Sequence, residues 1–319
     1  MTDFSIGEVG TSGLRLIGRK PLAIIVWGLF IFVALVLPTG LMFAMIGPDF
    51  ADLFRQMGSG VPIDKDAVRD LVFEMQGRMA LLNPLMTVLS LAGRAVLICA
   101  VFRAVLEPQK SAFAYLRLGA QELWVGLVLI VESILLALSI ICAIIPVAIV
   151  VTILGVSHQA GAAVAAGFIG AAIIAGVAIW LVVRFSMALP LSFVERRFAL
   201  FESWNFTKGH AGNLFLTALL VIVLVILMEM IVGAVVGAAL LATGMSFNFD
   251  ETAIRSFFEQ PPQVWLRTLA PFVLGIGLMG AVVASAFNTV AVAPWAAAYK
   301  ALSKGFAREP GVAGLALDG

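Results

Sequence analysis

The sequence predicts an all-α, polytopic integral membrane protein: six transmembrane helices arranged as three helical hairpins, with short cytoplasmic interfacial helices. Two observations carry that prediction. Hydrophobic residues make up 62% of the 319 and charged ones only 12%, with a mean hydropathy of +1.08, far from the roughly 25% charged residues of soluble domains. Six apolar stretches also approach or exceed the roughly 20 helical residues that a hydrocarbon core of about 30 Å requires. They run over Leu22–Ile46, Leu81–Phe102, Trp124–Leu154, Gly161–Val183, Leu214–Leu241 and Leu269–Ala298. Residues 1–304 are read as a single six-helix membrane domain and 305–319, rich in Gly, Ala and Pro, as a flexible tail.

Each element has a local justification. Before the first span, Arg15, Arg19 and Lys20 resemble the basic start of a secretory signal, but the apolar run is too long and no A-x-A site follows, so it is read as an uncleaved span. From Asp64, Val68, Leu71, Val72 and Met75 suit a separate outer surface helix, preceded by a Gly58-Ser59-Gly60 turn. The third and fourth spans are split at Gly155-Val156-Ser157-His158-Gln159, a small polar cluster of the kind that makes a turn. The third exceeds the bilayer thickness, which predicts tilt or protrusion with Pro146 as the place for a kink. Each odd-numbered span follows a semi-apolar segment with charges and a glycine: Leu14–Arg19, Tyr115–Gly119 and Phe201–Gly209. These read as interfacial helices ended by glycine. In the third, Phe198, Phe201 and Trp204 form an apolar stripe, Lys208 suits the helix dipole and Gly209 can take a left-handed cap.

Charge distribution gives orientation. Thirteen Lys and Arg residues fall on the side of the two termini and six on the other, which predicts cytoplasmic termini. Trp124, Trp180, Trp204, Trp295, Tyr115 and Tyr299 lie near the same ends, the headgroup level that amphipathic rings favour. A net charge of +1 leaves no basic patch for nucleic acid. Cys99 and Cys142 sit in apolar runs and give no disulfide framework.

Arg184-Phe185-Ser186-Met187-Ala188-Leu189-Pro190, then Glu195, Ser203-Trp204, Thr207-Lys208-Gly209 and Asn213-Leu214, resemble the membrane domain attached to some bacterial glycerophosphodiester phosphodiesterases. The start, Phe4-Ser5-Ile6-Gly7-x-Val9, is similar to that of related, stand-alone bacterial membrane proteins. The resemblance implies a multi-pass protein of the bacterial cytoplasmic (inner) membrane concerned with lipid or envelope metabolism. The catalytic barrel of those phosphodiesterases has no counterpart here: two histidines, no His-Arg pair and no soluble acidic cluster, so their activity does not come with the likeness.

Candidate chemistry is sparse. Gly275-Ile276-Gly277-Leu278-Met279-Gly280 matches G-x-G-x-x-G but lies inside a spanning run without the strand that fingerprint needs, so no dinucleotide cofactor is expected. Helix packing is the better reading of Ala163, Gly167 and Ala171, of Gly233 and Gly237, and of Gly280 and Ala284, each set spaced by four. Arg94, Glu132 and Glu229 are ionisable residues inside spans, where a charge costs about 2.5–3.5 kcal/mol on insertion scales. Counting along the helices puts Arg94 and Glu132 at similar depth, so a register-fixing pair and a proton or substrate path both stand open. Arg103, Arg184, Arg196 and Arg197 near the interface suit either anionic headgroups or simple positive-inside anchoring. Asn83-Pro84, and Asn288 with Pro294, either break helices locally or, for the first, punctuate a helix end. His158 and His210 are predicted on opposite sides, no metal motif occurs, and no serine has a triad-like setting. The sequence thus favours a non-catalytic scaffold or lipid- and envelope-associated protein, with membrane lipids or another membrane protein as partners. A small transporter or channel using Arg94, Glu132 and Glu229 is the alternative, ahead of a membrane enzyme acting on lipids.

Overall fold

The computed structural model describes residues 4–42, 65–109, 112–242 and 262–306. It is 89% helical with no strand among the described residues, and six helices are long and apolar enough to cross a membrane. In chain order the elements are α1 (Ile6–Gly10), α2 (Ser12–Arg19), α3 (Pro21–Ile31), α4 (Lys65–Leu106), α5 (Ala120–Val156), α6 (Ala160–Phe185), α7 (Ala188–Glu195), α8 (Glu202–Phe206), α9 (Ala211–Ala242) and α10 (Pro262–Phe306). The six candidate spans are Pro21–Met42, Leu82–Leu106, Ala112–Val156, Ala160–Glu195, Ala211–Ala242 and Leu274–Ser303. Each overlaps one of the stretches read from the sequence.

Several boundaries differ from those expectations. The outer surface helix is not a separate element: α4 runs unbroken through Pro84 for 42 residues. Hydrophobic surroundings favour keeping the helix, since the few backbone groups a proline frees can be satisfied locally; the Thr87 hydroxyl donates to the Asn83 carbonyl at 2.8 Å. Pro146 likewise sits inside α5, whose 37 residues span about 55 Å at 1.5 Å each. The segment after α4 is no helix over 115–119. Phe113, Ala114 and Tyr115 form a left-handed turn, with φ of 51°, 51° and 68°, and 116–118 continue without regular structure. Helix α2 passes through Gly18 and ends at Arg19. At the third segment α8 is only five residues long, and Gly209 takes the expected left-handed conformation with φ of 78°. The Gly58-Ser59-Gly60 turn and the tail beyond Phe306 lie outside the described residues.

Contacts group the chain into two compact units, one of residues 1–13, 95–222 and 292–319, the other of 14–94 and 223–291. In the first, α5 and α6 pack antiparallel, with Val147 against Gly170 and Val151 against Gly167. Their outward faces carry Ile134, Ile145, Ile149, Ile153, Phe168, Ile169 and Ile173, all exposed, an apolar surface suited to lipid. The buried core of this unit gathers around α7. Met187, Leu191, Leu214 and Leu302 form one cluster, Cys99, Phe102, Val125 and Phe193 a second, and Val128, Ala188 and Leu200 a third. In the second unit, α3 meets α10 closely enough that a Cβ on Gly28 would lie 2.6 Å from the Val282 Cα. The buried Ser285 hydroxyl donates to the Ile24 carbonyl at 2.7 Å.

The small residues chosen from sequence are not where helices come closest. No described atom lies within 4 Å of a Cβ added at Gly233, Gly237 or Gly280, and the nearest to one at Gly167 is 3.9 Å away. Ala163 is buried, whereas Ala171 and Ala284 are exposed. Approaches under 3 Å fall instead at Gly10, Gly28 and Gly170, where an added Cβ would lie 2.5 Å from Leu220, 2.6 Å from Val282 and 2.3 Å from Val147. Four-residue spacing puts small residues on one face but does not decide whether that face meets a helix.

Candidate functional site

The buried charged residues of the first unit meet where α4 ends, α5 begins and α7 packs across them. Arg103, in the last turn of α4, is 3% exposed, and Glu122, in the first turn of α5, is 6% exposed. They form a buried ion pair through the arginine Nη2 and the glutamate Oε1. The same guanidinium donates to the Tyr115 carbonyl and the Gln121 Oε1, each at 3.1 Å. Its carbon lies 5.6 Å from the centre of the Phe193 ring. Gln121 Nε2 donates to the Phe193 carbonyl and the Tyr115 hydroxyl to the Pro108 carbonyl, both at 3.1 Å. A left-handed residue other than glycine costs roughly 1–2 kcal/mol, and these bonds hold the strained 113–115 turn in place. One atom is left over: Glu122 Oε2 is buried without a hydrogen-bond partner among the described residues.

A second arrangement lies at the other end of α7. Arg184 is half-buried in the last turn of α6, its guanidinium carbon 5.4 Å from the centre of the Trp204 ring and 6.0 Å from that of Trp180. The two indoles meet edge to face at 4.9 Å, and Phe185 lies 5.8 Å from Trp204. The main chain here is tied down separately. Ser203 Oγ donates to the Arg184 carbonyl at 2.7 Å and accepts from the Met187 N–H at 3.2 Å; Thr207 Oγ1 lies 3.5 Å from the same carbonyl. Arg184 Nε and Nη1 are buried and find no hydrogen-bond partner among the described residues.

Arg94 is exposed near the boundary between the units, Glu229 is exposed, and Glu132 is half-buried. Glu132 lines a cavity of about 20 Å³ with Leu135, Leu136, Ser139, Leu181, Val182 and Phe185, room for one water molecule. The buried ion pair among the described residues is made by Arg103 and Glu122, not by the pair expected at Arg94 and Glu132. Of the interfacial motif, Pro190 is buried in α7, Thr207 is buried, and Asn213 accepts from Thr217 Oγ1 at 2.8 Å. Lys208 is exposed, and Glu195 is held at 2.7 Å by the exposed Arg197, which Glu202 also binds at 2.7 Å. That neighbourhood raises the Arg197 pKa, chiefly through Glu195, so its charge persists at any working pH. His158 takes a left-handed conformation in the α5–α6 turn, and His210 precedes α9. Among the described residues no three His, Cys, Asp or Glu side chains converge as metal ligands do.

Glu122, Gln121 and Phe193 escaped the sequence reading. The available signal was an acid in the first turn of a span, next to the tryptophan that marks the interface, where a buried partner was worth seeking. The chain matches no family model, no curated protein and no solved structure.

Proposed function

We propose that this chain is a non-catalytic, multi-pass protein of a bacterial cytoplasmic membrane, a scaffold or lipid-associated component of the envelope with both termini in the cytoplasm. The three helical hairpins and the positions of α1, α2, α7 and α8 at the membrane surface belong to this reading, as does kinship with the membrane domain of glycerophosphodiester phosphodiesterases. The observation that carries it is the Arg103, Tyr115, Gln121 and Glu122 cluster. There polar side chains at the ends of the spans are spent on one another and on the backbone, fixing helix ends rather than lining a route. The single-water cavity at Glu132 is in keeping with that. The thirteen-to-six bias of basic residues supports the orientation.

Proton or substrate flux into proteoliposomes tests the proposal, comparing wild type with Glu132→Gln and Glu229→Gln and recording thermal stability on the same samples. The expected result is no flux above empty liposomes in any of them. Flux in the wild type that disappears in an equally stable variant would replace the scaffold with a transporter.

A further inference from the structure

The four arginines near the predicted interface are not equivalent. Arg103 is neutralised by Glu122, and Arg197 by Glu195 and Glu202. Arg196 ends α7 as an exposed left-handed cap. Arg184 alone of the four combines partial burial, two aromatic faces and two buried nitrogens that lack a hydrogen-bond partner among the described residues. Leaving a charged donor unsatisfied costs more than leaving a neutral one, whereas a cation over an aromatic ring recovers only part of that cost. Rings alone do not balance a guanidinium without a counter-charge.

We propose that Arg184, held between Trp180 and Trp204, is a binding site for one phosphate group at the membrane surface. It rests on the reading above in one respect, that this end of the first unit meets the headgroup layer. The planar guanidinium suits two phosphate oxygens at once, and an anionic leaflet presents phosphates at high local concentration. The indoles hold the plane of the fork, while Ser203 and Thr207 fix the backbone beneath it. Trp180 is exposed, so its swing away from Trp204 uncovers the guanidinium edge and the buried nitrogens gain their acceptor. The ligand is a phosphate of net negative charge, without an ammonium of its own to balance it, supplied by an anionic lipid headgroup or as free phosphate from solution.

The test uses the full chain in nanodiscs of zwitterionic phosphatidylcholine, with or without a minor fraction of phosphatidylglycerol, and in phosphatidylcholine discs with inorganic phosphate added to the buffer. Native mass spectrometry counts retained lipid, and tryptophan fluorescence follows the clamp. Wild type is expected to enrich phosphatidylglycerol about tenfold, a difference of about 1.4 kcal/mol, with a fluorescence change. Arg184→Gln should lose both, Arg184→Lys should lose most of the enrichment, and Arg197→Gln should keep it. If inorganic phosphate in phosphatidylcholine discs gives the fluorescence change in wild type but not in Arg184→Gln, the anion site stands and its source is soluble. Equal retention in wild type and in a folded Arg184→Gln or Arg184→Lys variant overturns the proposal, as does a wild type indifferent to both anions. Should Arg184→Gln fail to fold, the lysine variant and the wild-type titrations still decide. The flux assay reports on the scaffold reading alone, so failure of one proposal is distinguishable from failure of the other.

Discussion

Arg103 and Arg184 occupy the last turns of two spanning helices, and each lies against an aromatic ring, but they are held in opposite ways. Arg103 has a carboxylate, an amide oxygen and a carbonyl around it, all from its own chain. Arg184 has two indole faces and no carboxylate among the described residues. The first arrangement is closed in charge: it ties α4 to the 113–115 turn, to α5 and, through the Phe193 ring, to α7. The second is incomplete in charge. A basic residue at a helix end is therefore not one kind of object; only its neighbours decide whether it braces the fold or is left with charge to offer a ligand.

That contrast can be broken at Arg103 first. Glu122→Leu leaves the guanidinium buried and uncompensated, and should cost about 3–5 kcal/mol of stability, read as a fall in the denaturation midpoint of detergent-purified protein. Next come the close helix contacts that hold each unit. Gly28→Ala places a Cβ against the backbone of Val282 and should cost about 1–3 kcal/mol. Gly233→Ala meets no described atom within 4 Å and should be neutral or gain up to about 1 kcal/mol, the usual helix advantage of alanine; of the two midpoints only that of Gly28→Ala should fall. Arg184→Leu should be neutral or slightly stabilising in zwitterionic detergent, where the lost ring contacts are offset by removal of two buried donors without acceptors among the described residues, and destabilising when anionic lipid is present. The smallest effect is at Arg197, exposed and paired with exposed acids; Arg197→Gln should leave the midpoint unchanged within error, because such pairs are weak and screened.

The six spans were legible because a bilayer imposes a length and a composition that any window along the chain can measure. Continuity was less so. Asn83-Pro84 carries the same letters whether a helix starts there or runs through, and α4 runs through. Tyr115–Gly119 shares the glycine-and-charge pattern of its counterparts, yet the backbone turns left-handed at 113–115, where Arg103 binds the Tyr115 carbonyl and the Pro108 carbonyl accepts from the Tyr115 hydroxyl. The polar cluster was the least legible part. Arg103 and Glu122 are separated by 19 positions across a turn, a distance that no helical period connects. By contrast Trp204, Thr207 and Arg184, chosen as one motif, do converge, since the short α7 and α8 bring the chain straight back onto the end of α6.

The most direct test of the account is a double-mutant cycle on Arg103→Met and Glu122→Leu, measured by reversible denaturation in mild detergent. If the pair is the brace described here, the double variant should lose less than the two single losses combined, with a coupling of about 1–3 kcal/mol. Single losses that add to within about 0.5 kcal/mol would mean that the two residues act independently, and that the ends of these spans are held by something other than the cluster.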